Sequence, residues 1–551
     1  MPSITIDGKT CEFDGKKTIL QVALENDIEI PHYCYHPGLS IVASCRICLA
    51  EVAQPNPRND NKLEVIPKLL PTCQTPAVDG SEVYTKSPKS IANQKAVMEY
   101  LLINHPLDCP VCDQAGECHL QDYSYRYGRA VSRFEEDKIK QPKKDIGPHV
   151  LLYADRCIMC TRCVRFTEQV SGTGEIRIFG RGSREQIDIF PGRALENELS
   201  GNVVDICPVG ALLDKEFLFS QRVWFLKSTP SIDGVTASGD NIWIEHNEGQ
   251  VYRLKPRTNM EVNRWWISDE IRYGWRFVHS EERLRTPMRH QLGEQLECDW
   301  NRAYKQVRDE LRKILNESGP GTLGLMVSPM LSCEEAYLLG QLARGLDEQA
   351  VLAIGPVPCE GQDKSFPGGY TIHAEKCPNR RGVKRALQLV HDQTGGGPDM
   401  MDYDGFQAAL ADRKSPIKAV LLTGNYTSPW TTPEFVKALG KRHLTLIDTL
   451  PNDLTAKADV LLPGATWAEK AGTFENATSR LQTFDQAIAV IELAKPEGQI
   501  ALDLLAICGL GENWRYDAAM VRAEMGGAFV EHVHLPLKHE KAQTEMEFVR
   551  V

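Results

Sequence analysis

The stretch HPLDCPVCDQAGEC, residues 105–118, sets His105, Cys109, Cys112 and Cys118 close together in the chain. Imidazole nitrogen and thiolate sulfur are donors that hold zinc or iron, and four of them complete a tetrahedral shell. Two more sets of four flank this one. Cys34, Cys45 and Cys48 lie in CYHPGLSIVASCRIC, and Cys73 follows in PTC beyond a loop rich in Pro, Asn and Asp. Cys157, Cys160 and Cys163 form RCIMCTRC, and Cys207 begins the Cys-Pro step of NVVDICPVGAL. A C-x2-C-x2-C run with a distant Cys-Pro is the arrangement that holds a tetranuclear iron–sulfur cluster. No second such run exists in the chain, so Cys207 has only Cys157, Cys160 and Cys163 to join. For the other two sets the residues alone leave zinc and an iron–sulfur cluster both open, although the Cys34 set has only one knuckle-spaced pair.

Composition supports reading these cysteines as ligands. The chain has 551 residues, 42% of them apolar and 25% charged, with a formal charge of -11. That is an ordinary multidomain globular composition, without the basic bias of a nucleic-acid binder. No apolar run is long enough to span a bilayer, and the start MPSITIDGKTCEFDG has neither a signal-peptide nor a transit pattern. A chain retained where it is made is expected, and a reducing compartment disfavours disulfides. Of the 17 cysteines, all but Cys298, Cys333, Cys359, Cys377 and Cys508 lie at or before Cys207. Cys11 has no ligand-spaced neighbour and reads as a packing residue. His36 and His119 stand beside complete ligand sets and read as surface or supporting residues.

The elements that must position the donors follow from local pattern. ITIDGKTCEFDGKKTILQVALENDI reads as strand, Asp-Gly turn, strand and a helix opened by Thr18. Cys34 follows that helix, and Cys45 and Cys48 share one turn. SPKSIANQKAVMEYLLIN is an amphipathic helix leading into His105. Residues 126–145 mix charge signs and read as a solvated connector. From about residue 219 ligand clusters cease. GTLGLMVSP, AVLAIG, KAVLLTGNY and HLTLIDT read as strands, with helices SCEEAYLLGQLARGL (Ser332 and Glu335 forming a capping box) and TPEFVKALG between them. Strand and helix in alternation predict a parallel, doubly wound α/β sheet. Gly395, Gly396 and Gly397 lack a P-loop lysine and read as a flexible loop, and no dinucleotide fingerprint is present.

The strand-turn-strand-helix lead-in resembles a [2Fe-2S] ferredoxin domain, with a longer first gap than the plant-type spacing. That C-x10-C-x2-C spacing, then H-x3-C-x2-C-x5-C, then RCIMCTRCVRF and GNVVDICPVGAL, in this order over residues 1–217, resembles the large iron–sulfur subunit family of respiratory complex I. The resemblance implies one [2Fe-2S] cluster on Cys34, Cys45, Cys48 and Cys73. It implies a [4Fe-4S] cluster on His105, Cys109, Cys112 and Cys118, and another on Cys157, Cys160, Cys163 and Cys207. The second half resembles the molybdopterin oxidoreductase fold, in EVNRWWISDEIRYGW, ERLRTPMRH and KADVLLPGATWAEKAGTFENATSRLQ. A molybdenum-ligating cysteine has no counterpart. Cysteines that other members carry are absent from STPSIDGVTASGDNIW, and Ile267 stands in the place of another. The half reads as an emptied scaffolding shell without molybdopterin, its last domain absent or reduced after LDLLAICGLG.

The expected architecture is a multidomain α+β and α/β chain. It comprises a [2Fe-2S] ferredoxin-like β-grasp domain (1–82), a [4Fe-4S] domain with one histidine and three cysteine ligands (83–122), a four-cysteine [4Fe-4S] domain (123–218) and a degenerate molybdopterin-oxidoreductase-like domain (219–551). The resemblance implies an electron relay within NADH:quinone oxidoreductase, with no catalytic residue, NADH site or quinone site in this chain. Its partners would be the FMN- and NADH-binding flavoprotein subunit and other iron–sulfur subunits of the peripheral arm. The membrane would be reached only through the complex, on the cytoplasmic side of the inner membrane, or the matrix side in mitochondria. The alternative is the iron–sulfur subunit of a NAD-linked hydrogenase or formate dehydrogenase. The shell and the missing active-site cysteines weigh against both, and the C-x2-C-x2-C group weighs against a zinc-only interaction protein.

Overall fold

The computed structural model describes residues 1–291 and 293–535; residues 536–551, the end of the expected 219–551 unit, lie outside the described residues. Strands Ser3–Ile6 and Lys9–Glu12 pair antiparallel, with Ile4 opposite Cys11. Asp7 and Gly8 between them both take positive φ, 47° and 89°, the geometry that matches a two-residue turn to strand twist. Ser3–Ile6 also pairs parallel with Glu82–Tyr84, which continues the sheet to Leu49–Asn56 and Lys62–Val65. The helix Ile19–Glu25 packs Ile19, Leu20 and Val22 on this sheet, started by Thr18 and Gln21 in a capping box. Cys11 lies in that core, where burial pushes its thiol up.

Helix Pro88–Leu102, capped by Ser87, leads to His105. Helix His119–Tyr127 begins at Cys118 and helix Arg162–Gln169 begins within RCIMCTRC. Strands Lys143–Asp145 and Val150–Tyr153 lie between them in the chain, and Leu212–Asp214 completes their three-stranded sheet. The connector expected over 126–145 therefore ends differently: its last residues add an edge strand, because their backbone completes the ladder to Val150–Tyr153 while their side chains stay largely in water. One apolar core runs through all of this, including Tyr33, Met98, Tyr123, Phe166, Leu212 and Trp266. Cys34, Cys118, Cys160, Cys163 and Cys207 belong to it.

Beyond a three-stranded antiparallel sheet (Lys227–Ile232, Asn241–Asn247, Gln250–Pro256) lies the doubly wound unit. Its parallel strands stand in the order Val351–Ile354, Leu323–Val327, Ala419–Thr423, His443–Asp448 and Val460–Pro463. Met288–Gln291 and Glu294–Glu297 extend the last of them antiparallel. Helix Cys333–Leu346 carries the expected capping box of Ser332 and Glu335. The glycine loop 395–397 departs from the expectation of a loop without fixed contacts. It wraps the Arg344 guanidinium, which donates to the carbonyls of Gly396 and Pro398, both at 3.1 Å, and a Cβ on Gly397 would lie 1.7 Å from that side chain.

Candidate metal centres

Four cysteines converge after the first helix. Cys34, Cys48 and Cys73 are buried and Cys45 is partly so. Residues Ala43 and Arg46, on either side of Cys45, take positive φ (49° and 60°), which bends the loop around the thiols. The sulfurs of Cys48 and Cys73 are 3.6 Å apart. Two thiolates on one tetrahedral ion at a metal–sulfur distance of ~2.3 Å would stand about 3.8 Å apart, so this pair fits one metal ion. Hydrogen bonds from Cys45 and Cys73 hold the Cys34 thiol well below its usual range, and a hydrogen bond from Cys73 takes Cys48 down to about 6. The same hydrogen bonds raise Cys45 and Cys73, so two thiols of the set keep their protons unless metal charge replaces them. The loop is held from outside: Tyr100 Oη donates to the Cys45 carbonyl at 3.2 Å, Asn93 to the Arg46 carbonyl at 2.9 Å, and Thr72 to the Cys48 carbonyl at 3.0 Å.

Cys157, Cys160, Cys163 and Cys207 line one cavity, with Leu152, Ile158, Ile187, Val209, Ala211 and Leu212 as its apolar wall. Met159 and Thr161 take positive φ, 53° and 62°, so the backbone turns at alternate residues and each cysteine is directed inward. Burial pushes Cys160 up to about 11 and raises Cys157, Cys163 and Cys207 as well. Four buried thiols stay protonated unless metal charge replaces the protons. Backbone N–H groups of Val209, Ala211 and Leu212 face the Cys207 sulfur and favour its anion. Among the described residues no three His, Cys, Asp or Glu side chains stand close enough to chelate a single ion; these four sulfurs surround a volume instead.

In the third set Cys112 and Cys118 are buried, His105 is partly buried and Cys109 is exposed. Burial takes the His105 imidazole down to about 4, so at neutral pH the ring is uncharged and keeps a lone pair for a metal. Burial raises Cys118 to about 12, while backbone N–H groups of Leu120 and Gln121, at the start of its helix, offset part of that.

The three sets touch through their loops. The Pro208 carbonyl accepts from the His119 N–H at 3.1 Å, and a Cβ on Gly210 would stand 2.3 Å from the Cys112 sulfur. Arg165 donates to the carbonyls of both Cys34 (2.5 Å) and Cys160 (3.2 Å). The second half closes over them. Arg253 pairs with Glu117 at 2.9 Å and Arg222 donates to the Cys112 carbonyl at 2.9 Å. Trp265 and Trp266 lie so close to Gly38 that a Cβ there would meet them at 2.7 and 2.8 Å.

His36 and His119 are both buried, which excludes the surface alternative and leaves the supporting one. His36 stacks on Trp266 at 5.3 Å and accepts from the Gly38 N–H at 3.1 Å, and His119 faces Tyr123 at 5.7 Å. Sequence reading missed Arg156, Arg162 and Arg165 as supports of the sites. Their signal was present in DRCIMCTRCVRF, where three arginines sit among apolar and ligand residues.

Family models match in the same order as the ligand sets. A 2Fe-2S iron-sulfur cluster binding domain matches residues 2–88, and the NADH-ubiquinone oxidoreductase-G iron-sulfur binding region matches 94–133. The ferredoxin-like domain of NADH-quinone oxidoreductase subunit 3 matches 147–213. An NADH-quinone oxidoreductase subunit of Rickettsia felis is 37% identical over 346 residues, 63% of this chain and 49% of that protein. The NADH-ubiquinone oxidoreductase 75 kDa subunit of Reclinomonas americana is 40% identical over 358 residues, 65% of this chain and 50% of that protein. These alignments span about half the length of such relatives. The alignment to the mitochondrial NADH dehydrogenase [ubiquinone] iron-sulfur protein 1 of Solanum tuberosum is longer, 30% identical over 92% of this chain and 80% of that protein. The chain belongs to the family of the large iron–sulfur subunit of NADH-quinone oxidoreductase.

Within this member of the family two further matches differ from the residues present. A NuoG-like 4Fe-4S domain matches 226–276, yet that segment contains no cysteine. Ile232 and Ile267 are buried there with Ile242, Ile244 and Ile271 in an apolar core, so the residues do not fit a cluster. The molybdopterin oxidoreductase model matches 394–506. A cavity of about 410 Å³ opens beside the ends of Ala419–Thr423 and His443–Asp448. Asp448 at its base is already committed to the Asn425 N–H (2.7 Å), Trp430 (2.9 Å) and Asn452 (2.8 Å). No helix of the described residues is long and apolar enough to cross a membrane.

Proposed function

We propose that this chain is the electron-relay subunit of NADH:quinone oxidoreductase. It would carry electrons from the FMN- and NADH-binding flavoprotein subunit towards quinone through further iron–sulfur subunits of the peripheral arm. Cys34, Cys45, Cys48 and Cys73 would hold a [2Fe-2S] cluster; His105, Cys109, Cys112 and Cys118 a [4Fe-4S] cluster; and Cys157, Cys160, Cys163 and Cys207 a second one. Such clusters supply one-electron carriers whose potentials follow ligand charge, burial and hydrogen bonding. The observation that carries the reading is the continuity of the sites: cysteines of all three sets lie in one apolar core and their loops hydrogen-bond to one another. The chain's own work is to keep water from the sulfurs, fix their spacing and shield them with buried guanidinium groups.

The unit boundaries near residues 82, 122 and 218 belong to the same proposal, as does a 219–551 shell that holds no molybdopterin and serves as scaffold. Docking on the membrane complex, at its cytoplasmic or matrix face, would come through partner subunits. The test is metal analysis of the anaerobically purified chain, with low-temperature EPR during stepwise reduction. About ten iron atoms per chain with an equal amount of labile sulfide are expected. Cys207→Ala should remove one tetranuclear signal and spare the binuclear one. Zinc in place of iron would overturn the reading.

A further inference from the structure

Arg165 is 6% exposed, yet none of its partners is a carboxylate. Its Nη1 donates to the Ser40 carbonyl at 2.5 Å and its Nη2 to the Cys34 carbonyl at 2.5 Å and the Cys160 carbonyl at 3.2 Å. Its Nε donates to the Thr161 carbonyl at 3.2 Å and to the Thr161 hydroxyl at 3.4 Å. Arg162, 1% exposed, donates to the carbonyls of Tyr35 (2.5 Å) and Ile206 (3.3 Å). Taking a guanidinium out of water costs several kcal/mol unless an opposite charge compensates it. Carbonyl dipoles satisfy its N–H groups, but no ion of opposite charge among the described residues pairs with Arg165. The groups of potential negative charge around it are the thiols of Cys34, Cys160 and Cys163.

We propose that Arg165 is a positioning residue shared by two centres, the Cys34 set and the Cys157 set. It fixes the separation of their loops and supplies one positive charge that favours the reduced state of both. This rests on the relay reading above and adds to it a residue that ligates neither centre. The fork geometry of arginine is what lets one side chain reach three separate carbonyls; a lysine carries the charge but not the fork. Helix Arg162–Gln169 anchors the guanidinium, so the cation cannot follow one centre and leave the other.

The experiment compares Arg165→Gln and Arg165→Lys in the full chain. Iron is counted, and the midpoint potentials of all three centres are followed by EPR during redox titration. In Arg165→Gln the potentials of the binuclear centre and of the Cys157-set centre should both fall, while the His105-set centre stays unchanged and iron content holds. In Arg165→Lys the charge remains but the carbonyl fork is lost, so both potentials should lie between those of Arg165→Gln and wild type. An iron-loaded Arg165→Gln chain with neither potential moved, or with all three moved alike, overturns the inference while leaving the relay reading standing. Should Arg165→Gln lose iron, Arg165→Lys decides. Full loading with both potentials at or moderately below wild type supports the shared charge, whereas loss of iron there too makes the residue a matter of packing and overturns it. A wild-type chain that carries zinc removes the relay reading itself, a result visible before any variant is made.

Discussion

Arg156 and Asp108, each the residue immediately before a candidate ligand cysteine, form an ion pair at 2.8 Å. The pair fastens the loop of Cys157 to the loop of Cys109. Its members are unequal: Arg156 is 2% exposed and Asp108 is 30% exposed. Arg156 also lies over the Tyr153 ring at 4.0 Å and donates to the Gly210 carbonyl at 3.4 Å.

That asymmetry orders two substitutions. Asp108→Asn leaves the buried Arg156 cation without its counter-charge, so a cost of roughly 3–5 kcal/mol is expected. Arg156→Met removes that cation and leaves Asp108 at a partly wet edge and the Gly210 carbonyl short of one donor, and should cost roughly 1–3 kcal/mol. Chemical denaturation of the two variants checks the order. A larger loss in Arg156→Met would mean that the stacking and the Gly210 contact outweigh the ion pair.

Gly210 is required for space and not for a left-handed backbone. A Cβ would stand 2.3 Å from the Cys112 sulfur and 3.2 Å from Gln114 Cβ. The first contact is far inside van der Waals distance, and Cys112 cannot retreat if it ligates a cluster. Gly210→Ala is expected to remove the EPR signal of the His105 set while the binuclear signal persists. A chain that keeps all its iron and every signal would show that Cys112 is free to move.

Asp233 is fully buried and accepts from the Val235 N–H at 2.8 Å and from the Ser238 hydroxyl at 3.1 Å. Burial pushes its carboxyl up to about 6. Asp240 is raised too, by burial and by Asp233, and accepts from Tyr370; Glu270, paired with Lys376, adds negative charge nearby. A folded-state value above the unfolded one, ~3.9, means that the folded chain binds the proton more tightly. Stability from this group is therefore full below about pH 4 and lost as pH rises to about 6, a loss of roughly 3 kcal/mol. Asp233→Asn should flatten the stability profile of the chain across that window. An unchanged profile would assign the pH dependence to Asp240 or another group.

The candidate donors stand out in the sequence because ligand chemistry restricts residue type and because most members of one set are close neighbours in the chain. The α/β shell was legible because alternating apolar strands and capped helices are local patterns, and Ser332 with Glu335 forms the capping box that its spacing announces. What escaped were contacts made by residues far apart in sequence. Arg165 reaches Cys34 across 131 positions, and Trp266 covers His36 from the opposite half of the chain. Neither contact leaves a periodicity. For His36 the choice between a surface and a supporting place was open in the sequence for the same reason, since the ring that covers it comes from Trp266, far along the chain. The edge hairpin of Met288–Gln291 and Glu294–Glu297 also gave no signal, since its residues are mostly polar and largely in water.

His105 offers the sharpest test of ligand charge. Its imidazole is uncharged at neutral pH because burial takes it down to about 4, so it would bring no negative charge where the other positions of the set bring thiolates. A centre with one thiolate fewer is less negative and accepts an electron more readily. His105→Cys should therefore keep the centre and lower its potential, with the other two centres unmoved. The substituted thiolate would sit in the same partly buried position, close to Arg156, whose charge already acts on His105. That cation favours the new thiolate and works against the fall in potential without reversing it, since a full ligand charge at bonding distance outweighs a guanidinium further away. Redox titration of the loaded chain, followed by EPR at the tetranuclear signals, measures the shift. A potential that holds or rises in an intact centre would mean that burial and hydrogen bonding, and not the histidine, set the place of this centre in the relay.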